Sequence, residues 1–208
     1  MIFALSAAFY LYLQSGIDVL YLTLIGGFFV LFYTWPLKHF ALGEVAVFLC
    51  WGPLMILGSY TVISGQSAFL GADNDVFLLS IVYGLAPTLV IMGKHMDKYD
   101  IDKSKGVKSL PVVIGIKASA YICVFIIAVQ WILLGYLALE TWLLCVCLPS
   151  LYYLPKLISK LRKQKPENKP ESYPAEIWPL WYSAFTFQYV RVFSVLLIVA
   201  LGLALFFR

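Results

Sequence analysis

The chain has 208 residues, 62% of them hydrophobic and 12% charged, with a formal net charge of +4 and a mean hydropathy of +0.88. A soluble domain carries about a quarter charged residues, so that class is excluded and the composition is that of an integral membrane protein. The cysteines, Cys50, Cys123, Cys145 and Cys147, all fall inside apolar runs, which argues against a disulfide framework.

Seven apolar segments run along the chain, at 2–14, 17–33, 43–64, 75–95, 110–134, 138–158 and 187–207. A hydrocarbon core of about 30 Å needs about 20 helical residues. The first segment is short by that measure and reads as a span whose beginning is missing, or as a half-buried helix. The N-terminus has no basic stretch followed by a small-residue cleavage site, so no signal peptide is expected. The expected architecture is all-α: a polytopic transmembrane helical bundle of about seven spans, forming a single domain over 1–208.

Counted on alternate sides, one set of loops holds fourteen of the fifteen lysines and arginines, leaving Arg208 as the only base on the other side. The positive-inside rule makes the first side cytoplasmic. Met1 then lies inside and Arg208 outside.

Tyr33 and Trp35 end the second segment as interfacial aromatics, and Pro36 stops its helix. Glu44 opens the next segment, where a carboxylate caps the helix or points into a cavity. Gly52-Pro53, Gly58, Gly84 and Pro87 mark kinks and close helix contacts. The turn Gly71-Ala72-Asp73-Asn74-Asp75 reads as a helix cap. Segment 160–176, rich in lysine, glutamate and proline, is expected to be a mobile cytoplasmic linker. Arg191 reads first as a snorkelling side chain, and second as a phosphate contact.

The stretch Lys94 to Pro111 is where charge concentrates. It carries Asp97, Asp100 and Asp102 among Lys94, Lys98, Lys103, Lys105 and Lys108, with apolar runs on both sides. Charge so dense must face water, a metal or an anion. Hard oxygen ligands suit Mg²⁺, which takes one or two carboxylates and completes its shell with water and substrate phosphates. The lysines would meet the remaining phosphate charge. A solvated loop of Lys/Asp pairs is the competing reading. Asp97, Asp100 and Asp102 are therefore the candidate metal-ligating and catalytic residues. Lys94, Lys98, Lys108, Tyr33 and Glu44 are the candidate substrate-binding residues.

The run Asp97-x-x-Asp100-x-Asp102-x-x-x-Gly106-x-x-Ser109-Leu110-Pro111-x-x-x-Gly115 resembles the second aspartate-rich motif of the UbiA-type intramembrane prenyltransferases. Tyr33-Thr34-x-Pro36, then Leu42-Gly43-Glu44, Gly52-Pro53 and Gly58-x-Tyr60, are similar to the same family two helices earlier. The branch most resembled prenylates dihydroxynaphthoate for menaquinone. The resemblance implies nine helices around a cavity open to lipid, with two acidic motifs holding Mg²⁺ and a polyprenyl diphosphate on the cytoplasmic side. The seven segments would be helices three to nine. It implies transfer of the polyprenyl group to an aromatic acceptor, in a bilayer and with no nucleic-acid partner.

Two departures stand out. Lys98 occupies the far acidic position of the second motif. The first motif, Asn followed four residues later by Asp, has no counterpart at Asn74 or Asn168. The chain is thus expected to be N-terminally incomplete, and weak or inactive by itself. The alternative is a catalytically dead isoprenoid-binding or scaffolding membrane protein.

Overall fold

A computed structural model describes residues 2–33, 35–67 and 73–207. Thr34, Gly71, Ala72, Met1 and Arg208 of the sequence reading lie outside these. The fold is a helical bundle, with no strand among the described residues. Hydrocarbon offers no partner to a backbone N–H or C=O, so a spanning chain must satisfy them within helices.

Helices α1 (Ile2–Ser15) and α2 (Ile17–Phe32) meet at Gly16, whose φ of 84° suits glycine. A short 3-10 turn, Leu37–Phe40, leads to α3 (Gly43–Leu49), a π-turn at Cys50–Leu54 containing Pro53, and α4 (Met55–Ser64). Then come α5 (Asn74–Asp97), the one-turn α6 (Tyr99–Ser104), α7 (Leu110–Ile114) and α8 (Ile116–Ala138). A 3-10 segment, Trp142–Tyr153, runs into α9 (Leu154–Arg162), and α10 (Tyr182–Phe206) closes the chain. Asp73 caps α5 as expected, its Oδ1 accepting from the Asp75 N–H at 3.1 Å.

Among the described residues five helical stretches are long and apolar enough to cross a membrane: Gly43–Ser64, Asn74–Asp97, Ile116–Ala138, Trp142–Arg162 and Tyr182–Phe206. Helices α1 and α2, of 14 and 16 residues, are shorter. Three expected boundaries shift. The segment at 110–134 breaks at Gly115, where a φ of 87° separates α7 from α8. The segment at 138–158 moves to 142–162. The last helix starts at Tyr182 rather than 187, because its first turn is held by a side chain from another helix.

Helix α5 is the central strut, packed on α3, α8 and α10. It meets the π-turn where Gly52 faces Gly84. A Cβ on Gly52 would sit 2.7 Å from the Ser80 carbonyl and 2.8 Å from the Gly84 Cα, so only glycine permits this crossing. Deeper in, buried Gln130 of α8 donates to the Val82 carbonyl of α5 at 3.1 Å and accepts from Tyr189 Oη of α10 at 2.8 Å. Trp131 Nε1 completes the set by donating to Tyr189 Oη at 3.0 Å. Gln130, Trp131 and Tyr189 thus satisfy one another inside the bundle, as hydrocarbon requires. The periphery is apolar, with Tyr121, Ile132, Val195 and Leu205 among the exposed side chains.

Candidate functional site

The site begins with a glycine. A Cβ at Gly93 would lie 2.6 Å from Thr186 Oγ1 and 3.0 Å from the Ser183 Cα, so its absence lets the start of α10 settle onto α5. One turn later Asp97 reaches the open N-terminus of α10. Its Oδ1 accepts from the Trp181 and Tyr182 N–H groups, each at 2.9 Å. Its Oδ2 accepts from the Ser183 N–H at 2.9 Å and from Ser183 Oγ at 2.5 Å. A helix start leaves N–H groups unpaired and carries partial positive charge, and a carboxylate answers both.

The stretch expected to be a mobile linker is tied down by this junction. Residues 160–162 belong to α9. The rest folds back as a strap: Tyr182 Oη donates to the Lys163 carbonyl at 3.0 Å and accepts from the Lys165 N–H at 3.2 Å. Lys165 Nζ donates to the Asp97 carbonyl at 3.3 Å. Tyr173 is buried in a cluster of rings with Trp178, Trp181 and Phe185, and its hydroxyl donates to the Leu180 carbonyl. Burial, and secondarily the charge of Asp97, pushes the Tyr173 phenol above its usual range, so it stays a neutral donor. Aromatic packing outweighs the polar composition here.

Between α5, α9, α10 and the strap lies a cavity of about 870 Å³. Lys94 of α5, Lys98 just past its end, Lys156 and Lys160 of α9, and Arg191 of α10 line it, alongside apolar and aromatic side chains. No carboxylate does so among the described residues. Lys160 Nζ sits 3.8 Å from the centre of the Trp181 ring, and Lys156 Nζ lies 5.3 Å from that of Phe185. These contacts hold the ammonium groups in place but leave their charge uncancelled. Among the described residues the only ion pair is His95 with Glu44, so none of the five cations meets an acid. A positive pocket with greasy walls is chemically suited to an amphiphilic anion.

The expected site residues therefore separate. Lys94 and Lys98 reach the cavity, whereas Lys108 is exposed elsewhere. Glu44 and His95 are buried between α3 and α5, with Nδ1 and Oε1 2.6 Å apart and Glu44 Oε2 left without a protein partner. Tyr33 lies just past the end of α2, near this pair. Its hydroxyl is 3.8 Å from where a Cβ on Gly43 would stand, and burial, then the charge of Glu44, raises its phenol.

The three aspartates do not converge. Asp97 has its acceptor sites filled by four donors, while a carboxylate offers about four. Asp100 is exposed. Asp102, two residues on and so on the other side of α6, is buried with Oδ2 unpartnered. No group of three histidine, cysteine, aspartate or glutamate side chains is placed to hold a metal ion among the described residues. The expected Mg²⁺ ligand set does not fit this arrangement, because Asp97 is spent on α10.

Sequence reasoning missed Lys156 and Lys160 and took Arg191 first as a snorkelling residue. Two lysines four apart on an amphipathic helix were the available signal for the first pair. Nothing local announced that α10 would face them with Trp181 and Phe185.

A model of the UbiA prenyltransferase family matches residues 1–181 of the chain. No curated protein and no solved structure matches it.

Proposed function

The chain belongs to the UbiA prenyltransferase family, and from that premise we propose that it transfers a polyprenyl group from a polyprenyl diphosphate to an aromatic acceptor of the quinone-precursor kind. The observation that carries this reading is the cavity with five unpaired cations and apolar walls. The diphosphate lies against Lys94, Lys98, Lys156, Lys160 and Arg191, and the isoprenoid tail follows the apolar wall past Phe187. By the distribution of basic residues, this end of the bundle faces the cytoplasm of a multi-pass membrane protein.

In the reaction the allylic C–O bond breaks and its electron pair leaves with the diphosphate. A ring carbon of the acceptor forms the new C–C bond, and the proton it gives up passes to the departing diphosphate. Cations fixed in advance around the leaving group stabilise the charge that develops there. The apolar and aromatic side chains of the cavity wall shield the allylic cation from hydrolysis.

The test is product formation from geranylgeranyl diphosphate and dihydroxynaphthoate by the purified chain in nanodiscs, followed by mass spectrometry. A prenylated product, lost in Lys160→Gln/Arg191→Gln, is the expected result. Donor binding without product from any aromatic acceptor would leave an isoprenoid-binding protein and overturn the transferase reading.

A further inference from the structure

We propose that the five cavity cations neutralise the donor's diphosphate on their own, so that it binds here without a divalent metal. The inference rests on the preceding reading of the cavity as the diphosphate site and adds what balances the charge there.

Three observations converge. Lys94, Lys98, Lys156, Lys160 and Arg191 line one cavity with no carboxylate among the described lining residues. A divalent cation entering an unliganded cavity would therefore face five like charges and find no carboxylate ligand on the described wall. Asp97, the carboxylate nearest in sequence to Lys94 and Lys98, has its oxygens turned to the Trp181, Tyr182 and Ser183 N–H groups and to Ser183 Oγ. It has no acceptor site left for an ion. Finally, Lys160 and Lys156 stand over the rings of Trp181 and Phe185. Their ammonium groups are thereby positioned at the cavity without being neutralised, as a pre-set anion site requires.

Phosphate oxygens take charge-assisted hydrogen bonds from lysine and arginine directly. Mg²⁺ at a phosphate site is ordinarily held by one or two protein carboxylates together with the phosphates. Among the described residues no carboxylate lines the cavity, so a bridge has nothing on the protein side to join.

The experiment is titration of geranylgeranyl diphosphate into the full chain in detergent, once with EDTA and once with excess Mg²⁺. It uses the native protein, Lys94→Gln/Lys160→Gln and Lys94→Arg/Lys160→Arg. Native affinity is expected to agree within about twofold between the two buffers. In EDTA it should fall by about tenfold or more in the glutamine variant and recover in the arginine variant, since the charge and not the ammonium shape is what counts. Inorganic diphosphate should compete, and raised salt should weaken binding in EDTA. If the glutamine variant melts early, the arginine variant and the salt series carry the same test on folded protein. Binding that vanishes in EDTA, returns with Mg²⁺ and still depends on the lysines would overturn metal independence while keeping the cavity. Affinity indifferent to the lysines in both buffers would sink the cavity assignment, and this inference with it. Displacement by anionic phospholipid vesicles but not by inorganic diphosphate would also overturn it, by making the site one for a lipid headgroup.

Discussion

The last turns of α5 face two ways, and the two faces handle charge oppositely. Toward α9 and α10, Lys94 and Lys98 join three further cations around a cavity and, among the described residues, meet no acid. Toward α3, buried His95 lies 2.6 Å from Glu44. Leaving five cations unpaired costs stability through mutual repulsion, and such charge is retained where a ligand completes it. Asp97 stands next to the lysine face, and its negative charge supports α10 instead of cancelling its lysine neighbours.

That contrast can be broken most severely at Asp97. Asp97→Ala leaves three N–H groups at the head of α10 without their acceptor. Hydrogen bonds to a charged group are worth about 1.5–3 kcal/mol and a lost cap about 1, so a loss of about 3–4 kcal/mol is expected in thermal or denaturant unfolding in detergent. A melting temperature near that of the native protein would show that the cap is dispensable.

Gly93→Val comes next. Its Cβ would press on Thr186 and on the Ser183 backbone, and overpacking of this kind costs about 1–3 kcal/mol. Cysteine cross-linking between the ends of α5 and α10 should become slower in step with the loss of stability.

On the face toward α3, Glu44→Ala leaves His95 buried without its partner. The expected cost is about 1–2 kcal/mol, recovered in part by Glu44→Gln, which keeps an acceptor oxygen. An unchanged unfolding midpoint for Glu44→Ala would mean that the pair contributes nothing to packing α3 on α5.

The smallest effect is expected at Lys160. Lys160→Gln gives up its contact with Trp181, worth about 0.5–1 kcal/mol, but also removes one of five mutually repelling charges. The net change should stay within about 0.5 kcal/mol. A larger loss would identify Lys160 as a structural residue and weaken the contrast between the two faces.

Some of this was legible in single segments. Gly115 interrupts a long apolar run with a backbone conformation natural to glycine, and Asp73 sits where a helix start wants an acceptor; both signals are local. Lys94 and Lys98 were picked out because they stand in a dense run of charge between apolar spans. The grouping of Asp97, Asp100 and Asp102 as one ligand set went astray for a geometric reason. Spacing along the chain gives rotation about one helix, whereas the partners of Asp97 are 84 to 86 residues away.

The sequence by itself determined the class of structure: helical, membrane-spanning and of the family whose motif it carries. Hydrocarbon forces every backbone group to find its partner within a helix, and span length follows from membrane thickness, so composition and run length suffice. Only the tertiary structure decided which charges meet. Gly93 lets α10 come close, Asp97 holds its first turn, and Lys156, Lys160 and Arg191 are thereby brought to the cavity that Lys94 and Lys98 already face. Distances of a few ångströms between residues far apart in the chain depend on how helices rotate and dock, and no local pattern records that.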